Sequence, residues 1–255
     1  MVSYVVLFLS VAVGAAIMLY WQPRDRRTIK LLTAFGGAYI LAVTCLHLLP
    51  EVFGGGIHAA DREGGEAASA SMGLWVLAGF FVQLILDYLS HGIEHGHTHQ
   101  EGAGGQVPWG MLLGLCIHAY LEGTPLAHPS RVGPELALPT DVHNALLIGI
   151  VMHNVPVSIV LMSLLLHNGM NRVKALAVMT VFAVMSPLGM LTAESARIVG
   201  AYQHQLMAMV IGIFLHIATT ILFETGDEHH FNFRKLLVIV AGAGLAILSS
   251  LVQRH

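Results

Sequence analysis

Residues 109–128 read WGMLLGLCIHAYLEGTPLAH. A membrane-crossing helix needs about 20 mostly apolar residues, and this run has that length and character. It also carries His118 and Glu122, followed by Gly123 and Pro125, which both weaken a helix. A spacing of four puts the imidazole and the carboxylate on one helix face, one turn apart. Ionisable groups at membrane depth are costly and normally face the bundle interior, a partner or a water-filled cavity. A histidine nitrogen with a carboxylate oxygen suits a borderline divalent cation such as zinc. The plainer alternative is a hydrogen-bonded pair that only locks two helices together.

The rest of the chain sets this stretch in a membrane. It has 255 residues, 55% of them hydrophobic and 11% charged, with a mean hydropathy of +0.71. Soluble domains carry about 25% charge, so an all-α integral membrane protein is expected. The formal net charge of −3 argues against a nucleic-acid partner. Cys45 and Cys116 fall in apolar runs with no metal-type spacing, and no disulfide framework is expected. Histidine is over-represented, at 16 against 12 Lys plus Arg.

Eight spans are expected, near 3–21, 29–50, 72–91, 109–127, 143–166, 172–194, 204–223 and 234–252. The connections are short, so one transmembrane domain over 1–255 is expected. The first run is read as a span rather than a cleaved signal, because no basic leader precedes it. Eight of the 12 Lys and Arg fall on the side of the 22–28 loop. By the positive-inside rule that side is cytoplasmic and both termini lie outside. The short termini and missing signal point to a bacterial inner membrane.

A second polar insertion lies in LLIGIVMHNVPVSIVLMSLLL, where His153 and Asn154 sit mid-run before Pro156. That proline removes the backbone donor for the Met152 carbonyl. A freed carbonyl inside a membrane needs a partner, or a cavity to line. Spans four and five are read as antiparallel neighbours whose centres meet at mid-membrane. The 92–108 connection is a histidine-rich cytoplasmic loop; with His91 it offers His91, Glu94, His95, His97 and His99 as loose ligands for a divalent ion. Those imidazoles bind only when neutral, so affinity there falls below about pH 6. His47 and Glu51, again four apart, are candidates for an outer entrance. His216 is read as a packing residue, and Asp87 and Glu194 as groups that snorkel from span ends. His229 and His230, with Asp227 and Glu228, form a second small inner cluster.

These segments together resemble the ZIP family of divalent-metal transporters. GGAYILAVTCLHLLPE, 36–51, is similar to the family's second span, and a His-rich loop follows the third. HAYLEG, 118–123, resembles the fourth-span signature His-Asn-x-x-Glu/Asp-Gly. HNVPVS, 153–158, resembles the fifth-span His-x-x-Pro-x-Glu or its variant His-x-x-Pro-Glu-Gly, whose Glu falls at 157, and MSPLG, 185–189, resembles the sixth-span turn. The resemblance covers nearly the whole chain. It implies a transport site between spans four and five, built from His118, Glu122, His153 and Asn154. It implies Zn²⁺ as the ion, with Fe²⁺, Mn²⁺ or Cd²⁺ as alternatives, moved toward the cytoplasm by alternating access. A homodimer is left open. The family's fourth-span Asn stands here as Ala119, its fifth-span Glu as Val157, and an acid before the sixth-span Pro as Ser186. One ion rather than two is therefore expected. The rival readings are a metal-binding membrane sensor or degenerate transporter and, as the less favoured one, an intramembrane zinc metalloenzyme. An enzyme is not expected, because no His-Glu-x-x-His pair and no separate nucleophile are seen.

Overall fold

The computed structural model describes residues 1–21, 26–60, 65–90, 109–127, 139–195, 202–223 and 233–253. Every regular element among them is helical. In chain order these are α1 (Val2–Tyr20), α2 (Arg26–Val43), α3 (Leu49–Ala60), α4 (Gly65–Ser90) and α5 (Trp109–Gly123). They continue as α6 (Thr140–His167), α7 (Arg172–Ser195), α8 (Gln203–Phe223) and α9 (Phe233–Gln253). A π-helical turn, Thr44–Leu48, joins α2 to α3, and a 3₁₀ turn, Thr124–Leu126, extends α5.

Seven of these helical stretches are long and apolar enough to cross a membrane. The eighth expected span, α5, is shorter, at 15 residues. At about 1.5 Å per residue, plus about 2 Å for each residue of the 3₁₀ turn, it reaches about 28 Å. The hydrocarbon core is about 30 Å thick, so the tighter turn recovers most of the missing length. The chain is thus an all-α integral membrane protein. The second span runs past its expected end at residue 50, through the π turn to Ala60, and the third begins at Gly65 rather than 72.

Each proline inside a span leaves one carbonyl without its helical donor, and the chain meets that cost in several ways. Pro125 deprives Leu121; the Thr124 hydroxyl donates to the Leu121 carbonyl at 2.8 Å instead. Pro50 deprives Leu46; the helix there widens into the π turn, with the Leu49 N–H bonded back to the Thr44 carbonyl. Pro156 deprives Met152; there α2 passes so close that a Cβ on Gly36 would lie 3.1 Å from the Met152 oxygen. The freed carbonyl in α6 is covered by a neighbouring backbone rather than by a cavity.

Helix association in lipid gains little from hydrophobicity and depends on close packing at small residues. Two helix pairs do this reciprocally. A Cβ on Gly189 of α7 would collide with the Tyr120 carbonyl of α5, and one on Gly123 of α5 with the Ser186 carbonyl of α7. In the same way Gly79 of α4 abuts the Met209 carbonyl of α8, and Gly212 of α8 the Val76 carbonyl of α4. The α5–α7 pair also shares a 2.7 Å hydrogen bond between Tyr120 Oη and Thr192 Oγ1. Around these, α6 packs on α1 and α2, α1 also on α7, and α9 on α2.

Direct packing between α5 and α6 is slight, whereas α5 lies chiefly on α4 and α7. The side chains of His118 and His153 meet between spans four and five, while the two backbones pack mainly on other helices. Both spans contribute to one apolar cluster, with Leu115 and Ala119 from α5 and Val157 and Leu161 from α6, and they share the polar groups described next.

The glycine contacts set a test. Gly189→Leu is expected to lower stability by about 1–3 kcal/mol, the usual cost of overpacking, read as a fall in melting temperature in detergent. Gly244→Ala, with open space where its Cβ would stand, leaves the melt unchanged or raises it slightly, since alanine favours a helix over glycine. Equal melts for both variants would contradict the close α5–α7 packing.

Candidate metal centre

His118 and Glu122 come from α5 and His153 from α6, and all three are buried: His118 is 2% exposed, Glu122 0% and His153 1%. Their ligand-type atoms lie within 4.8 Å of one another. His118 Nε2 stands 3.7 Å from Glu122 Oε1 across the single helical turn. The two imidazoles meet edge to face, with centroids 5.9 Å apart and planes at 85°.

Zinc bonds nitrogen at about 2.0–2.1 Å, which sets neighbouring ligands about 3.3 Å apart in a tetrahedron. The His118–Glu122 spacing is close to that, and rotations of about an ångström would bring the third ligand in. Two neutral nitrogens and one carboxylate leave a fourth position for water, and the set suits Zn²⁺ well. The donor set fits a divalent cation.

The other face of His118 is also engaged. Gln83, on α4 and fully buried, places Oε1 3.1 Å from His118 Nδ1. A carboxamide oxygen only accepts, so this contact is a hydrogen bond when His118 carries its proton on Nδ1, the tautomer that leaves the lone pair on Nε2, the nitrogen beside Glu122. Sequence reasoning did not single out Gln83. Its signal was present, a lone amide within FFVQLILDY, 80–88, but nothing in one sequence says which polar residue of span three meets span four.

Asn154 is buried beside His153, yet its amide donates to Ser10 Oγ of α1 at 3.4 Å. Consecutive residues on a helix diverge by about 100°, and Asn154 joins α6 to α1 on a different face from His153. His47 is buried in the π turn while Glu51 is exposed on α3. A π turn breaks the one-face rule for residues four apart, so the two do not share a surface. His216 is buried edge-on against Phe80, with centroids 4.8 Å apart, and Asp87 and Glu194 are half-buried toward the ends of α4 and α7. His91, Glu94, His95, His97 and His99, with Asp227, Glu228, His229 and His230, lie outside the described residues.

None of the three positions where the resemblance expects further ligands carries an acid or an amide. Ala119 and Val157 belong to one hydrophobic cluster with Leu115, Met179 and Phe182. Ser186 is buried with its carbonyl against Gly123.

Fold and site together define a polytopic helical membrane protein with a buried cluster of two histidines and a glutamate. The comparisons place it further. The model of the family described as ZIP Zinc transporter matches residues 1–108 and 94–250, and the chain belongs to that family. It is similar to proteins named Zinc transporter ZIP9. The one from Micropogonias undulatus is 28% identical over 189 residues, 69% of this chain and 58% of that protein. The one from Xenopus tropicalis is 27% identical over 189 residues, 69% of this chain and 60% of that protein. Zinc transporter ZIP9-B of Xenopus laevis is 25% identical over 244 residues, 79% of this chain and 77% of that protein. The chain thus spans about 58–60% of the length of the first two.

The geometry separates ligands from bystanders. Glu122→Ala is expected to weaken the tight Zn²⁺ site by more than about 100-fold, beyond the 10–100-fold that outer-shell partners contribute. Asn154→Ala should keep affinity within about threefold, because its amide faces Ser10. Competition with a chromophoric chelator reads both, and equal losses would put Asn154 among the ligands.

Proposed function

We propose that the protein carries Zn²⁺ through the membrane toward the cytoplasm, by alternating access, on a site made of His118, Glu122 and His153. The observation that carries this reading is the approach of three buried ligand groups, from two helices, in the interior of a membrane bundle. The names of the relatives, all zinc transporters, support the class of cargo. Fe²⁺, Mn²⁺ and Cd²⁺ are the alternative ions for the same donors.

One ion per chain suits this centre, since Ala119 and Val157 fill with hydrocarbon the places where more ligands would stand. A single carboxylate leaves the loaded site with a net positive charge, which favours release over storage. Neutral imidazoles load at about pH 7, and protonation competes with the metal.

Both termini lie outside in this reading, because Arg24, Arg26, Arg27, Lys30, Arg172, Lys174, Arg234 and Lys235 share one side. The loop ligands His91, Glu94, His95, His97 and His99 then receive or sense ions on the cytoplasmic side. His47, buried near the outer end of the second span, remains a candidate for the outer entrance, without Glu51. A bacterial inner membrane gains no support from the relatives, which are vertebrate proteins.

The missing carboxylates favour a second reading, a sensor that binds without transport. Flux decides between them. In proteoliposomes, wild type is expected to give saturable uptake of radioactive zinc, and Glu122→Gln and His118→Ala to fall to the level of empty vesicles. Bound zinc without flux in wild type would favour the sensor; wild-type flux in both variants would remove the site.

A further inference from the structure

We propose that Gln83 is a positioning residue for the cargo ion: its side-chain oxygen holds His118 in the Nδ1-protonated form and so presents Nε2 to the metal. The inference rests on the site reading above and adds a third helix, α4, to it. Three observations carry it. The contact is 3.1 Å between Gln83 Oε1 and His118 Nδ1. Both residues are buried, Gln83 at 0% exposure and His118 at 2%, so bulk water does not compete for that hydrogen bond. And Nε2, the nitrogen left with the lone pair, is the one 3.7 Å from Glu122.

The chemistry follows from the imidazole. A neutral histidine carries its proton on either nitrogen, and only the bare one binds metal. In water the two forms interconvert freely. Here an acceptor on the far side fixes the proton on Nδ1, orients the ring and raises the basicity of Nε2. The α4 backbone that carries Gln83 is held to α8 one turn earlier, where Gly79 abuts the Met209 carbonyl. A neutral acceptor suits a site that must also let go. A carboxylate in its place would add negative charge beside the ion and hold both histidine and ion more firmly.

The test uses the purified full chain in detergent and Co²⁺ as the probe. Visible absorption is read as the difference from Glu122→Ala, which removes any signal from other histidines. Gln83→Leu is expected to weaken Co²⁺ binding by about 10–100-fold. Gln83→Asn, one methylene shorter, should weaken it similarly. Gln83→Glu should tighten it about 10-fold, the scale of an outer-shell change, and lower both the KM and the maximal rate of zinc uptake. Nitrogen-15 spectra should show His118, assigned by loss in His118→Ala, protonated at Nδ1 in wild type and mixed in Gln83→Leu. A general packing role would give neither the tighter binding nor the change of tautomer. If Co²⁺ binding is lost in Glu122→Ala but is that of wild type in Gln83→Leu and Gln83→Glu, the role of Gln83 is overturned and the site stands. If Glu122→Ala binds as wild type does, the site falls and Gln83 with it. Should Gln83→Leu fail to fold, Gln83→Glu decides: tighter binding supports the proposal and wild-type affinity overturns it.

Discussion

A carboxylate at membrane depth constrains everything near it. Glu122 is fully buried in a helix that is otherwise almost wholly apolar. Removing a charge from water costs several kcal/mol even after relaxation, by general estimates. The Lys and Arg among the described residues all lie in the first two turns of helices, so none of them is placed mid-span to answer it. Two imidazoles stand there instead. A neutral imidazole can offer a carboxylate one N–H, and a proton or a metal ion would add the positive charge that the site lacks. The cluster is thus suited to a divalent cation, the charge that the proposed function brings to it.

The backbone arrangement follows from the same need. Bringing His118 to His153 requires α5 and α6 to face each other without packing tightly, and each is held from behind. The α5 helix is fastened to α7 through Gly123 and Gly189, while Gly14 of α1 and Gly36 of α2 press on the backbone of α6. The prolines serve the same end. Pro125 ends α5 in a tight turn with its stranded carbonyl answered by Thr124, and Pro156 sits one turn beyond Met152, where Gly36 covers the carbonyl. At Pro125 and Pro156 the freed carbonyl is met by a side chain or by a neighbouring helix, as a bilayer favours.

Much of this was legible in the sequence because membrane spans are a one-dimensional signal. Long apolar runs marked the helices. Polar residues inside them marked His118, Glu122 and His153, since lipid tolerates such groups only beside a partner or a cavity. What escaped depended on three dimensions. Gln83 looked like any buried amide until α4 was seen against α5. Asn154 follows His153 in sequence but faces Ser10 of α1, because a helix turns about 100° per residue. The spacing of His47 and Glu51 assumed a regular helix; the π turn before Pro50 changed the register and left one buried and the other exposed. Spans four and five are joined by a short connection, yet they pack on other helices. Ala119 and Val157, where the family carries polar ligands, stand out as departures in the sequence alone, and the structure adds that they are sealed in apolar packing.

The central claim is that one divalent ion sits among His118, Glu122 and His153. Anomalous diffraction at the zinc absorption edge, from crystals of the zinc-loaded protein, tests it most directly. The account predicts a single anomalous peak in the bundle interior, about 2.0–2.2 Å from His118 Nε2, a Glu122 carboxylate oxygen and a His153 nitrogen. A peak bound elsewhere in the bundle, or a second ion beside Ala119 and Val157, would contradict it.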